Sequence, residues 1–487
     1  MATVRSLVPA RMDRLPWSAF HTRLVVALGI TWVLDGLEIT IASLVGPVLQ
    51  SAHTLALSSA DVGRAASVYL AGEVAGALVF GYLADRLGRR KLFITTLALY
   101  LVANGLTALA FDYGTLLVLR FFAGAGIGGE YAAINSAIDE LIPARFRGHA
   151  DIAINGTYWL GALIGAAGEG ILLDPELFPV NVGWRIGLLI GPLIGVAIWG
   201  LRRALPESPR WLLTRGRSDE AEEMLARIEA EVATSGHRLS PVDPSAALAV
   251  TAVPPLGYRT LARVLFVTYP ARSIVSLALM CTQSFLYNAI FFTYGLVLVH
   301  FFAVPAASVP HYFYAFALGN LLGPLTLGRL FDTVGRKRMI AGTYVVAGLL
   351  LAATGWLFAA GTLTATTQTL CWSAVFFVGS AAASSAYLTV SEIFPVEIRA
   401  QAIALFFSIA QVVGAIGPWL FATLIGDQAN PEPARLFHGY LVAAAAMILG
   451  GLVEAVLGVE AARVSLEDVA TPFCATEPPR REEAGSR

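Results

Sequence analysis

Charge is what this 487-residue chain has least of: 14% of its residues are Asp, Glu, Lys or Arg, against about 25% in an ordinary soluble domain. A chain that is 56% hydrophobic has too little polar surface to cover its core in water, so lipid must supply much of the solvent. Neither sign of charge dominates, with 33 Lys and Arg against 34 Asp and Glu. That balance excludes the broad basic field of a nucleic-acid binder. Cysteine is scarce too. Cys281, Cys371 and Cys474 lie far apart, in no C-x-x-C or Cys/His spacing, which excludes a disulfide framework and gives no support to a metal site. Also missing among the apolar segments are a nucleophile–base constellation and a phosphate-cradling loop, so neither an enzyme nor a cofactor is expected. The first apolar run is about 25 residues long without a small-residue cleavage site, and it reads as a retained span rather than a signal peptide.

What the chain does have is a series of apolar stretches, each near the ~20 residues a membrane-crossing helix needs. Twelve are read: 22–48, 60–84, 92–111, 115–142, 150–174, 183–204, 271–301, 308–332, 338–360, 366–394, 399–426 and 434–459. One long polar interruption, 205–268, contains an amphipathic helical stretch around R-G-R-S-D-E-A-E-E-M-L and divides the chain six and six. The fold class is therefore an all-α membrane protein of twelve transmembrane helices in two six-helix pseudo-repeats. Its expected parts are an N-terminus (1–21), an N-terminal bundle (22–204), a linker (205–268), a C-terminal bundle (269–460) and a disordered tail (461–487). Of the 33 basic residues, all but Arg64, Arg120, Arg185 and Arg435 fall on the side holding both termini. The bias makes that side cytoplasmic, in a multi-pass protein of the cell membrane.

The halves repeat in sequence. G-Y-L-A-D-R-L-G-R-R-K at 81–91 returns as G-R-L-F-D-T-V-G-R-K-R at 328–338, with Asp85/Asp332 and Arg89/Arg336 offset by 247. E-L-I-P-A-R-F-R at 140–147 returns as E-I-F-P-V-E-I-R at 392–399, with Glu140/Glu392 and Arg147/Arg399 offset by 252. Two motifs in one order at nearly one offset imply duplicated units in parallel orientation. At these residues the chain resembles the major facilitator superfamily, whose loop signature between helices 2 and 3 is G-x-L-A-D-R-x-G-R-R-K. Within it, R-F-F-A-G-A-G-I-G-G-E (120–130), P-E-S-P-R-W-L (206–212) and S-E-I-F-P-V-E-I-R (391–399) resemble the branch of sugar porters and bacterial metabolite–proton symporters. The resemblance implies the major facilitator fold and alternating access, two bundles rocking about a central site. The clusters Asp85, Arg89, Glu140, Arg147 and Asp332, Arg336, Glu392, Arg399 suit a gate of ion pairs made in one state and broken in the other. Topogenic charge on solvated loop ends is the plainer reading.

Ionisable groups at membrane depth cost at least ~2.5–3.5 kcal/mol on insertion scales, so each asks for a reason. Asp35 and Glu38 share one face of helix 1; Arg120 lies near the outer end of helix 4 and Glu130 near its centre. These four are the proton-coupling candidates. Burial disfavours a charged carboxylate and a nearby guanidinium restores it, so an acid that exchanges its arginine between states carries a proton. Glu38 stands where sugar porters place such an acid, Asp35 in a D-G-x-D-like pattern of aromatic-acid symporters, and Arg120 at the basic position opening helix 4. A fixed ion pair tying helices 1 and 4 is the structural alternative. Glu130 serves equally as a neutral, hydrogen-bonded acid. Glu73, in helix 2, is read as packing at the bundle interface, and Glu454 as reaching polar solvent from a helix end.

Substrate-binding candidates come from both halves. Gln283 and Asn288 of helix 7 match the sugar-porter Q-x(4)-N spacing, and Tyr287 and Tyr294 add aromatic hydroxyls. Amides both donate and accept, so they suit hydroxyl or amide groups, although membrane bundles also use them between helices. Gln411 and Asn320 are weaker candidates of the same kind. Two departures from the sugar-porter pattern argue against a hexose. Tyr387 in A-S-S-A-Y replaces the expected tryptophan of helix 10, and helix 5 carries Asn155 and Trp159 in N-G-T-Y-W where a glutamine is usual. The expected activity is proton-coupled symport of a small neutral or monoanionic metabolite, an aromatic or cyclic acid ahead of a sugar. An uncoupled facilitator or exporter is the alternative, and a transporter-like nutrient sensor a distant one. Expected partners are the substrate, the proton and the bilayer, without nucleic acid and with the chain as a monomer.

Overall fold

The computed structural model describes residues 4–49, 53–57, 59–172, 177–203, 205–236, 238–250, 257–305, 308–425 and 433–473. A short strand, β1 (Val4–Ser6), and a helix, α1 (Val8–Asp13), precede six rods of the first half. These are α2 (Ala19–Leu49), α3 (Ser59–Leu87), α4 (Arg89–Thr107), α5 (Tyr113–Leu141), a rod interrupted at Thr157 into α6 (Ala144–Gly156) and α7 (Tyr158–Leu172), and α8 (Val180–Arg203). The connection carries α9 (Pro209–Thr214), α10 (Ser218–Thr234), β2 (Leu248–Val250) and α11 (Tyr258–Arg263). The second half repeats the pattern in α12 (Pro270–Phe302), α13 (Val309–Thr333), α14 (Arg336–Ala359) and α15 (Ala365–Ile393). Its fifth rod is interrupted at Ala415 into α16 (Arg399–Gly414) and α17 (Ile416–Ile425), and α18 (Pro433–Leu457) closes the bundle before the last turn of helix, α19 (Leu466–Val469).

Local chemistry sets where the rods begin. Asp112 accepts the Thr115 N–H at 2.9 Å and starts α5; Thr364 and Thr367 exchange hydrogen bonds in a capping box that starts α15. Gly88 (φ +97°) and Gly335 (φ +119°) start α4 and α14 in a backbone region that side chains rarely adopt. Eight rods are long and apolar enough by length and composition to cross a membrane. The other four (α4, α6/α7, α8 and α13) are packed into the same two bundles.

In lipid the helices gain little from hydrophobic exclusion, so close backbone packing holds them together. The seam between α3 and α5 shows it: a Cβ on Gly76 would overlap the Ala125 backbone, and one on Gly128 the Glu73 backbone. The halves meet where α16 lies on α3 and α5, α13 on α6 and α7, and α15 on α5 and α6.

At one end, here the linker end, the N-terminal segment, the linker and the C-terminal segment are tied together. Val4 pairs with Val250 in a two-stranded antiparallel sheet. Arg11 reaches Glu222 and Glu229 at 2.6 Å, and Arg14 reaches Glu229 at 2.6 Å. Arg210 stands between Asp13 (2.9 Å) and Glu467 (2.5 Å). Residues 461–473 thus differ from the free tail expected from the sequence, because α19 brings Glu467 to a buried arginine; residues 474–487 lie outside the described residues. Glu454 also departs from expectation. Its side chain is buried rather than in solvent, since its carboxylate lies against Gly458 in the last turn, where the Gly458 N–H bonds to the Glu454 carbonyl.

Candidate functional site

The two duplicated motifs fold into two equivalent clusters at the linker end. Arg89 binds Glu140 at 2.7 Å and Asp85 at 3.1 Å; Arg336 binds Glu392 at 2.9 Å and Asp332 at 2.6 Å. Each cluster also reaches across to the other half. Asp85 accepts the Gln401 backbone N–H at 3.1 Å in the first turn of α16, and Asp332 accepts the His149 N–H at 2.7 Å in α6. Gln401 and His149 are themselves 252 residues apart, so the crossing obeys the repeat. Arg147 lies 3.4 Å from Glu392, and Arg399 lies 3.7 Å from Glu140. All eight residues anticipated for a gate are buried here, and the halves are closed on each other at this end.

Two acids of these clusters escaped the sequence reading. Glu207 accepts the Arg89 N–H at 2.9 Å, and Glu460 accepts the Arg336 N–H at 2.7 Å. Each carboxylate occupies the space a Cβ would need on Gly88 or Gly335. Burial pushes the Glu207 carboxyl above the ordinary range, against the pull of Arg89. Glu207 stands in the quoted P-E-S-P-R stretch, but Glu460 in V-E-A-A-R keeps only the acid and could be found only by its offset of 253.

Between the halves lies a cavity of about 440 Å³. Seven residues chosen as substrate contacts line it together: Asn155, Trp159, Gln283, Tyr287, Asn288, Tyr387 and Gln411. On the linker side, Trp32, Tyr131, Tyr387 and Phe407 form an aromatic floor, with Trp32 and Tyr131 centroids 4.6 Å apart and Tyr131 and Phe407 4.8 Å apart. Toward the opposite end the lining continues through Leu49, Ala65 and Leu116. Trp159 offers a ring face beside Tyr287 (6.0 Å) and Phe291 (5.8 Å). Polar groups are few and aimed inward. Gln283 lines the cavity, and the Asn155 side-chain oxygen has no hydrogen-bond partner among the described residues. Asn288 donates to Ser284 (3.3 Å) and Ser284 to the Gln411 carbonyl (3.3 Å), whereas Tyr287 donates to Asn320 at 2.9 Å. Tyr294 is held outside the cavity lining, near Thr369.

The charged candidates divide. Arg120 lines the cavity and pairs with Glu38 at 3.3 Å. Glu38 itself sits behind the wall with Asp35 and Glu130, all three buried. Asp35 accepts the Tyr131 hydroxyl, which ties it to the aromatic floor. Glu130 lies within electrostatic reach of Asp35. Glu73 is the unforeseen member: it is at the interface of the halves as expected, yet it faces the cavity, accepting from the Gln411 amide at 3.1 Å. Trp32, Tyr69 and Tyr131 were missed as well. Their only sequence signal is helical spacing, Trp32 one turn before Asp35 and Tyr69 one turn before Glu73.

The family model described as sugar (and other) transporter matches residues 38–473. The niacin transporter NiaP of Acinetobacter baylyi is 34% identical over 220 residues, 45% of this chain and 48% of that protein, so the match spans about half of that relative's length. The 4-hydroxybenzoate transporter PcaK of Pseudomonas aeruginosa is 28% identical over 479 residues, 93% of this chain and 97% of its own. Among solved structures, that of the proton:xylose symporter XylE of the major facilitator superfamily, bound to 6-bromo-6-deoxy-D-glucose, superposes with a TM-score of 0.76 at 18% identity, covering 93% of this chain and 98% of that one. That likeness shows the fold: twelve helices in two repeats.

Proposed function

This chain belongs to the sugar (and other) transporter family of the major facilitator superfamily, a membrane transporter and not an enzyme, and from that premise we propose that it carries a small aromatic or cyclic monocarboxylate together with a proton. The observation that carries the reading is Arg120. Among the described residues it is the one guanidinium that lines the cavity, and its ion pair runs to Glu38 behind the wall. A carboxylate arriving in the cavity competes with Glu38 for Arg120. Losing its counter-ion at that depth, Glu38 is neutralised most cheaply by a proton. Ring faces of Trp159 and Tyr387 and the amides of Gln283 and Asn155 hold the rest of an aromatic acid. The names of the niacin and 4-hydroxybenzoate relatives point the same way.

Binding occurs with the linker end closed. Once Glu38 and the substrate carboxylate are both neutralised, the halves rock, the crossing contacts of Asp85, Asp332, Arg147 and Arg399 break, and the cavity opens beside the linker. Release returns Arg120 to Glu38 and expels the proton on that side. The basic residues gathered at the linker end support its being cytoplasmic, in the cell membrane, with uptake as the direction under an inward proton gradient. Proteoliposomes with an imposed pH gradient test the reading. Accumulation of 4-hydroxybenzoate or nicotinate that follows the gradient is expected. Accumulation of xylose alone, or uptake indifferent to the gradient, overturns it.

A further inference from the structure

One acid in the cavity has no counter-ion among the described residues. Glu73 is 1% exposed, one of its oxygens accepts from Gln411, and the other has no hydrogen-bond partner among the described residues. Every gate carboxylate predicted from the repeats lies within salt-bridge distance of an arginine, and so does Glu38; Glu73 pairs with none among the described residues. Its neighbours worsen the imbalance: Asp35 and Glu38 on α2 act on it electrostatically, against the single guanidinium of Arg120. The other titratable groups facing it are the tyrosines Tyr69 of α3, Tyr131 of α5, Tyr158 of α7 and Tyr387 of α15. A carboxylate so placed is stable only with a proton or with a cation brought in from outside.

We propose that Glu73 is the counter-ion for a cationic group on the substrate, so that a zwitterionic acid is preferred over a plain monoanion. This rests on the reading that the cavity holds the substrate. The geometry suits two poles. Arg120 lies over the Tyr69 ring at 5.7 Å, and Glu73 follows Tyr69 by four residues on the same helix, about 6 Å deeper along its axis. A single aromatic ring with substituents on opposite sides spans that separation. The floor below is aromatic, and the π faces of Trp32, Tyr131 and Tyr387 attract a ring-borne cation that a carboxylate could not use. Gln411, bonded to Glu73 from the other half, makes the same acid a reporter of the ligand to the second bundle.

The experiment compares three probes on the purified full-length protein: N-methylpyridinium-4-carboxylate (a fixed zwitterion with its poles on opposite sides of the ring), benzoate, and benzyltrimethylammonium. The zwitterion is expected to bind about tenfold or more tighter than benzoate, the scale of one charge-assisted hydrogen bond or ion pair out of bulk water. Glu73→Gln keeps the Gln411 contact and should erase that preference, with benzoate binding as well or tighter because a repelling charge has gone; Glu73→Asp should retain part of the preference. Equal affinities in the wild type, or a preference that Glu73→Gln leaves unchanged, overturn the proposal. Benzoate bound without help from a cation leaves the carboxylate reading standing and removes this one. Benzyltrimethylammonium bound through Glu73, with neither carboxylate bound, removes both the carboxylate reading and the zwitterion. No binding by any of the three removes both.

Discussion

Substituting Asp85 by Ala removes one crossing contact and leaves Arg89 its pair with Glu140. The Asp85–Arg89 and Arg89–Glu140 pairs lie within one bundle and are made in either state, so their loss or survival cancels from the equilibrium between states. What differs is the bond from the Gln401 N–H, 3.1 Å long and formed only when the linker end is shut. A hydrogen bond to a charged acceptor contributes about 1.5–3 kcal/mol. Asp85→Ala should therefore shift the equilibrium toward the linker-open state by about 10- to 150-fold. Asp332→Ala removes the equivalent bond from His149, and the two contacts belong to different clusters, so the double variant should come close to the sum in free energy. Leu87, the last residue of α3, and Val334, the residue that follows α13, are equivalent positions, 247 residues apart and both exposed. Spin labels on cysteines there, in a chain lacking its native cysteines, report the opening as a longer distance in electron–electron resonance. Distance distributions for Asp85→Ala and the double variant that match the wild type would refute the assignment of these bonds to the closed state.

Three other outcomes follow from the packing. Burial opposes ionisation of Glu229 and Glu467, but hydrogen bonds from Arg11 and Arg14, and the charge of Arg210, hold both below the ordinary carboxylate range. Such groups stabilise the folded form above the unfolded value of about 4.3 and lose that contribution as pH falls through the folded values; amide exchange in residues 8–13 and 466–469 should stay slow from pH 7 to 5 and rise only below about 4.3, and a rise between 7 and 5 would contradict this. Gly76→Leu drives a side chain into the Ala125 backbone, an overpacking of about 1–3 kcal/mol or more, and should cut the yield of monodisperse protein in size-exclusion chromatography; a normal yield would mean the α3–α5 seam is looser than described. Trp159→Ala should weaken benzoate about 2- to 12-fold, the 0.5–1.5 kcal/mol of one aromatic pair, while cyclohexanecarboxylate loses less; equal losses would take Trp159 out of ring recognition.

The sequence carried the architecture because lipid leaves a coarse signature: twelve apolar stretches, one polar break and two repeated motifs. It carried the two charged clusters for a related reason, since charges at fixed offsets are visible without any knowledge of packing. The cavity was legible where polar residues interrupt apolar helices, as with Gln283, Asn288 and Asn155. Trp32, Tyr69 and Tyr131 were not, because an aromatic residue in a membrane helix faces lipid, core or cavity with the same local sequence. Glu73 was placed at the interface correctly and its access to the cavity was missed, since one helix face touches both. The order of residues 461–473 depends on Arg210 lying some 250 positions earlier, a long-range pairing that composition cannot reveal.

The account turns on the exchange of Arg120 between Glu38 and the substrate. Proteoliposomes loaded with a pH-sensitive dye measure it directly, with 4-hydroxybenzoate supplied outside. The wild-type protein should acidify the interior as substrate enters, and Glu38→Gln should abolish both the acidification and uphill accumulation while still exchanging internal for external substrate. Continued accumulation by Glu38→Gln under an imposed pH gradient would contradict the account.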